Sequence, residues 1–212
     1  MLNKLILLII SLILPSVLLA KTFIGITTPL SSKMKYSDST GSAADLAPGT
    51  GLNMGVDIMF GDRERGSITR HGIEAQKISL TGQQSSTSYS LDSREYLYKF
   101  ALALSPSAER EGSFGFNPSV FLGVGVLEYK FKKLNEGGRE SEKTKETETF
   151  NYTPYGFELP VSLYFRSFYI GASYRSYLNE IKIKYLPNPD GSESTGTFKN
   201  YTGWFFNIGG IF

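Results

Sequence analysis

Apolar side chains recur at every second position over most of this chain, the period of a β-strand whose two faces meet different surroundings. Leu52, Met54, Val56, Ile58 and Phe60 interleave with Asn53, Gly55, Asp57 and Met59. Tyr96, Tyr98, Phe100, Leu102 and Leu104 interleave with Glu95, Leu97, Lys99, Ala101 and Ala103. Val120 to Val126, Tyr155 to Phe165 and Phe168 to Tyr174 repeat the pattern. The last twelve residues, YTGWFFNIGGIF, place Thr202, Trp204, Phe206, Ile208 and Gly210 on one face and Tyr201, Gly203, Phe205, Asn207, Gly209 and Ile211 on the other. Two stretches alternate less cleanly. Thr22 to Leu30 sets Ile24 and Ile26 against Phe23, Gly25 and Thr27, and in Ser67 to Leu80 the charges assign Arg70, Gly72, Glu74 and Gln76 to the interior. Together these predict eight strands.

The connections sort by length. Residues 31–49, 81–94, 132–151 and 186–200 read as long polar loops, whereas 61–66, 106–113 and the pair Arg166 and Ser167 are short. Long and short alternate, as in an up-and-down barrel whose tight turns and two termini share one end.

The chemistry of the faces decides between a soluble and a membrane barrel. The consistent face is apolar and aromatic, while the opposite face carries Asp57, Glu95, Lys99, Glu158, Arg175 and Asn207. Such groups cost several kcal/mol each in a soluble core unless paired. Turned inside out, the aromatic face meets lipid and the charges pair in the lumen, Glu95 with Lys99, four apart on one strand face, and Glu158 with Arg175. A β-sandwich or lipocalin-like barrel would show the reverse.

Composition agrees. Residues 1–20 have the form of an export leader: Lys4, an apolar run from Leu5 to Leu14, and a small residue, Ala20, at the expected cut. That run is too short for a spanning helix, which needs about 20 apolar residues. The domain plan is a signal peptide over 1–20 and one barrel domain over 21–212. Cysteine is absent, so neither disulfides nor a lipidated cysteine contribute. With 22 Lys and Arg against 20 Asp and Glu, there is no basic excess of the kind that marks a nucleic-acid partner.

With this leader, these eight alternating strands, the FLGVGV run from Phe121 to Val126 and a terminal strand ending at Phe212, the mature chain resembles the small eight-stranded outer-membrane barrels, such as the OmpA transmembrane domain and OmpX. It departs from them at Gly210, where such terminal signals carry a bulky apolar or aromatic residue. The resemblance implies an all-β, antiparallel transmembrane barrel and location in the outer membrane of a Gram-negative-type cell. It further implies contact with outer-membrane lipids and lipopolysaccharide, and recognition of the terminal strand by the barrel-insertion machinery.

Because some small barrels of this kind modify lipid, a catalytic set has to be sought. Nucleophile, base and orienting group must lie within hydrogen-bond reach. The single histidine, His71, follows the first short turn and points outward in this phase, so it is expected at the membrane interface. One His without Cys gives no transition-metal set. Asp38, Asp45 and the Glu-containing third loop lack Ca²⁺-loop spacing. The segment from Lys132 to Asn151 reads as a solvated loop. An eight-stranded barrel is about filled by its own side chains, which argues against an open channel. No catalytic, cofactor-binding or metal residue is therefore assigned. The expected function is that of a non-enzymatic, monomeric barrel displaying its outer loops for surface structure, adhesion or recognition; the alternatives are a lipid A-modifying enzyme and a small-solute pore.

Overall fold

A computed structural model describes residues 21–38, 43–49, 51–61, 69–84, 87–104, 112–134, 140–184 and 195–212. The expected leader over 1–20 lies outside these residues. The described residues form twelve strand segments: β1 (Thr22–Asp38), β2 (Ala43–Pro48), β3 (Met54–Phe60), β4 (Thr69–Gln84), β5 (Thr87–Leu102), β6 (Ser113–Phe116), β7 (Ser119–Leu134), β8 (Glu140–Tyr152), β9 (Tyr155–Tyr164), β10 (Phe168–Tyr177), β11 (Ile181–Lys184) and β12 (Thr195–Ile211).

Four pairs of consecutive segments each make one interrupted stave, β2 with β3, β6 with β7, β8 with β9 and β10 with β11, so the wall has eight staves. Antiparallel ladders run around the full circle from β1 through β3, β4, β5, β7, β9 and β10 to β12, and β12 pairs again with β1. The closing ladder runs from Phe23 opposite Ile211 to Asp38 opposite Gly196. It is locked at the termini by reciprocal bonds of 2.9 Å between the Thr22 and Phe212 backbones. Closure leaves no exposed sheet edge in this zone, the condition for a sheet to cross lipid.

The interruptions have local causes. Pro118 and Pro154 have no N–H to give to a ladder, and they stand between β6 and β7 and between β8 and β9. Between β2 and β3 the Asn53 side chain replaces backbone pairing: the Ser79 N–H donates to its Oδ1 (2.5 Å) and its Nδ2 donates to the Gly51 carbonyl (3.1 Å). In β12, Asn200 at φ 56° lets Asn200 and Tyr201 together oppose Met34, a β-bulge with its αL residue. A second irregularity falls between Pro29 and Ser31 of β1. Each shifts the inward phase by one residue, so β1 turns Phe23, Gly25 and Thr27 inward below its bulge and Ser32, Met34 and Tyr36 inward above it.

Every polar group assigned inward, whether by alternation or, on β4, by charge, is found inside. Asp57, Arg70, Glu74, Gln76, Glu95, Lys99, Glu158, Arg175 and Asn207 are all buried in the lumen. Outward stand Ile24, Ile26, Val56, Ile73, Tyr96, Tyr98, Phe100, Val120 to Val126 in steps of two, Val161, Trp204 and Ile208, all exposed. This face runs from Tyr96 on β5 to Leu104, two residues past the end of that strand. Those eight steps make about 20 Å across a bilayer at the usual strand rise and tilt, against an apolar band of about 25 Å in such barrels.

The long polar loops are a correction. Residues 31–38, 43–48, 81–84, 87–94, 132–134, 140–151 and 195–200 are strand. In particular, β4 and β5 pair without a break from Thr69 opposite Leu102 to Gln84 opposite Thr87. These stretches look like loops because their outward residues are polar: Ser88, Ser90, Asp92 and Arg94 on β5, Glu128 and Lys130 on β7. Their inward residues are apolar, however: Leu80, Tyr89, Leu91, Leu127, Tyr129, Ile183 and Phe198 are buried together. The wall thus reverses its chemistry along each stave. Apolar faces outward near the turns and inward in the far half, while the backbone alternation continues unchanged.

The short-turn expectation holds at Phe165–Phe168, where the Phe165 N–H donates to the Phe168 carbonyl at 2.8 Å. The other two expected short connections, 61–66 and 106–113, fall largely outside the described residues. In the far half, no ladder among the described residues joins β8 to β11; the ring there is open on that side.

Candidate functional site

The lumen is layered. Nearest the turns, Phe23, Met59, Ala101, Tyr164 and Tyr169 make a small apolar floor. Arg70 is held over it, its Cζ 4.0 Å above the Phe23 ring and its Nη1 donating to the Tyr164 hydroxyl at 2.9 Å. Above lies a cavity of about 70 Å³ bordered by Asp57, Lys99, Asn117, Ser119, Glu158 and Asn207.

The next layer is ionic. Arg175, fully buried, donates from Nη2 to Glu74 Oε2 (2.9 Å) and Glu158 Oε2 (3.1 Å), and from Nη1 to Glu74 Oε1 (3.1 Å) and Gln76 Oε1 (2.7 Å). Lys99 Nζ completes the square at 3.0 Å from Glu74 and 2.5 Å from Glu158. Two cations and two carboxylates from β4, β5, β9 and β10 cancel, which is what makes their burial tolerable. The Arg175 guanidinium also lies 4.8 Å from the Phe205 ring centroid, a cation–π contact from a fifth strand.

The expected pairing of Glu158 with Arg175 is present; that of Glu95 with Lys99 is not. Lys99 is drawn to Glu74, which faces it across the β4–β5 ladder region, whereas Glu95 sits one layer higher among neutral donors. It accepts from Gln76 Nε2 (2.5 Å), the Tyr177 hydroxyl (2.8 Å) and the Tyr152 hydroxyl. Residue spacing along one strand gave no sign of this, because the partners come from three other strands. Glu74 as the shared acceptor was equally hidden: its inward position was legible, its role was not.

Past Glu95 the lumen closes on aromatic rings. Tyr36 contacts Tyr89 (4.9 Å between centroids), Phe198 (5.0 Å) and Tyr129 (6.1 Å), and Tyr129 contacts Phe198 (5.3 Å). The void beside Tyr152, Tyr177 and Tyr201 measures about 10 Å³, at the lower limit for a single water. A solute entering from the turn end therefore meets an ionic layer and then a packed plug.

His71 is outward on β4, half-buried between the Phe60 and Tyr98 rings, each with a centroid 6.3 Å away. It shares no site with the lumen carboxylates. Asp45 is exposed on β2, and the side chains of Asp38 and of residues 131–148 lie outside what is described.

Outside, just beyond the last apolar outward residue of each stave, charges begin: Lys33 on β1, Lys77 on β4, Arg94 on β5, Glu128 and Lys130 on β7. Lys77 stands directly opposite Arg94, and Asp92 opposite Glu128, two like-charge pairs side by side. Lys130 Nζ is 2.6 Å from Glu128 Oε1, and this hydrogen bond holds the Glu128 carboxyl below its ordinary range.

No family model matches the chain, and no curated protein matches it. Among solved structures it is similar to the attachment invasion locus protein Ail of Yersinia pestis, at 12% identity over 91% of this chain and 99% of that one, with a TM-score of 0.45. It is also similar to the outer membrane protein OprG of Pseudomonas aeruginosa (9% identity, 91% and 96% covered, TM-score 0.49) and to the outer membrane protease OmpT of Escherichia coli (10%, 91% and 95%, 0.41).

Proposed function

We propose that this chain is an integral outer-membrane protein, a monomeric barrel without catalytic activity that spans the bilayer with its turn-proximal half and presents its aromatic-filled far half outside the cell for surface contact or recognition. The observation that carries the reading is the reversal of wall chemistry within single staves. On β5, Tyr96, Tyr98, Phe100 and Leu102 face outward and then, without a break in the strand, Arg94, Asp92, Ser90 and Ser88 do. One continuous wall thus crosses from a lipid-like to a water-like surrounding. The even number of staves, with both termini at the turn end, supports an external position for the long walls.

The lumen supports display over transport, since an ionic square and an aromatic plug fill it. It supports a non-enzymatic role because Glu74 and Glu158 are tied up by Arg175 and Lys99, while His71 lies on the outer wall. The charged collar supports lipopolysaccharide as the immediate neighbour: Lys77 and Arg94, opposite each other on two strands, stand just past the apolar outward face, where this reading expects outer-leaflet phosphates, and an anion there relieves their mutual repulsion. The terminal strand ending at Phe212 supports the barrel-insertion machinery as the partner during assembly.

The experiment is labelling on intact cells combined with lipid incubation. Cysteine placed at Lys182 should react with an impermeant reagent from outside, and cysteine at Arg166 only after the envelope is opened; the opposite result inverts the topology. Purified protein should bind labelled lipopolysaccharide and return it unmodified, with binding weakened by Lys77→Ala and Arg94→Ala. A modified lipid would establish the enzyme, and steady single-channel current the pore.

A further inference from the structure

The cavity at the turn end of the lumen is lined by several buried oxygens that lack hydrogen-bond partners among the described residues. Asp57 is buried and lines this cavity, yet among the described residues its carboxylate has no hydrogen-bond or ion-pair partner, and the described cations that share the lining are engaged elsewhere. Lys99 is held by Glu74 and Glu158, and Arg70 by the Phe23 ring and the Tyr164 hydroxyl. Beside Asp57 the buried Asn117 Oδ1, Ser119 Oγ and Asn207 Oδ1 also lack partners. The Asn207 amide cannot be turned over to remedy this. The single hydroxyl hydrogen of Ser173 is given to Glu158 (2.6 Å), so Asn207 must donate its own N–H to Ser173 (3.0 Å) and leave its carbonyl oxygen toward the cavity lining.

Gly25 makes the space. A Cβ there would run into both Asp57 Oδ1 and the Tyr169 hydroxyl, so the missing side chain is what lets the carboxylate and the phenol gather over the β1 backbone. The hollow of about 70 Å³ has room for a small ion together with a few waters.

From this geometry we infer that the cavity is a site for a small monovalent cation, an alkali ion or ammonium, entering from the turn end and held by the Asp57 carboxylate and the Asn207 carbonyl oxygen, with Ser119 and Asn117 completing its shell. Such an ion supplies what the lining lacks, positive charge for an unpaired buried carboxylate and a partner for oxygens that otherwise have none.

The test is the unfolding midpoint of the detergent-folded protein at fixed pH and ionic strength, comparing Na⁺, K⁺ and NH₄⁺ with N-methylglucamine. Ligand that binds only the folded state should raise the midpoint in proportion to the logarithm of its concentration once the site is saturated. The expected result is a rise of a few degrees with at least one small cation and none with N-methylglucamine, abolished by Asp57→Asn and reduced by Asn207→Leu. Equal midpoints in all four salts mean that water alone fills the hollow and overturn the site. A rise that survives Asp57→Asn overturns it too, because the ion then acts elsewhere. If neither variant folds, the Asp57 carboxyl carbon resonance of the wild type decides: it should move when K⁺ replaces N-methylglucamine, and no movement rejects the proposal.

Discussion

Replacing Arg175 with alanine removes one guanidinium from four hydrogen-bonded acceptor positions. Glu74 and Glu158 are then left to share Lys99 Nζ, at 3.0 and 2.5 Å, so that two buried carboxylates face one ammonium. Stranding a charge in this way costs about 3–5 kcal/mol, against a typical domain stability of about 5–15 kcal/mol. Loss of the side chain that packs against Phe205 and Phe121 adds to it. Arg175→Lys keeps the charge and loses the fork that spans both oxygens of Glu74, so an intermediate loss is expected. The exposed, outward Lys182 provides the control, with Lys182→Ala expected to fall within about 0.5 kcal/mol of the parent. The measurement is a urea titration in lipid vesicles, following the fraction that migrates as the compact form on an unheated gel. A further Glu74→Gln in the Arg175→Ala background should recover part of the loss, because it removes the stranded charge. Equal midpoints for Arg175→Ala and Lys182→Ala would show that the ionic square does not hold the barrel together.

Deleting Phe212 should lower the amount of folded protein in the outer membrane and raise its degradation, read by fractionation and immunoblotting, because both the ring proposed as the assembly signal and its Thr22 backbone clasp are lost. Normal surface levels would discard the terminal-signal reading. Gly123→Ala should destabilise by about 1–3 kcal/mol, since the added Cβ meets the Tyr96 carbonyl and Leu97 backbone across the β5–β7 ladder. Gly210→Ala meets chiefly the movable Phe212 ring and should be near neutral in the same titration. The folded protein should keep a distinct gel mobility in SDS until boiled; one mobility at all temperatures would contradict a closed sheet.

The alternation was enough to read eight staves and the inward positions of Asp57, Glu95, Lys99, Glu158, Arg175 and Asn207, because a period of two is a property of the backbone and does not depend on partners; on β4, where it is weak, charge placed Arg70, Glu74 and Gln76. Where sequence failed, it failed for definite reasons. Polar residues such as Ser88, Ser90 and Asp92 signalled loop only while the outward face was assumed to be apolar along its whole length; the inward Tyr89 and Leu91 carried the strand signal in reverse sign. The bulges at Pro29–Ser31 and at Asn200 break the step of two, so no single phase runs through β1 or β12. Glu95 was paired with Lys99 because they are four apart on one face, but lumen partners are chosen across the barrel, by Tyr152, Tyr177 and Gln76. Spacing on one strand holds no information about that choice. The cavity by Asp57 was invisible for the same reason: its oxygens come from β3, β7, β12 and the break before β7.

Trp204 is the only tryptophan in the chain and stands outward on β12, 54% exposed, edge-on to Tyr174 at 5.5 Å. Its fluorescence therefore reports, without any substitution, whether the outward aromatic face lies in lipid. In vesicles the emission should be blue-shifted, quenched by lipids brominated on their acyl chains and insensitive to aqueous iodide. Red-shifted emission quenched by iodide and not by brominated lipid would place that face in water and contradict the membrane-spanning barrel.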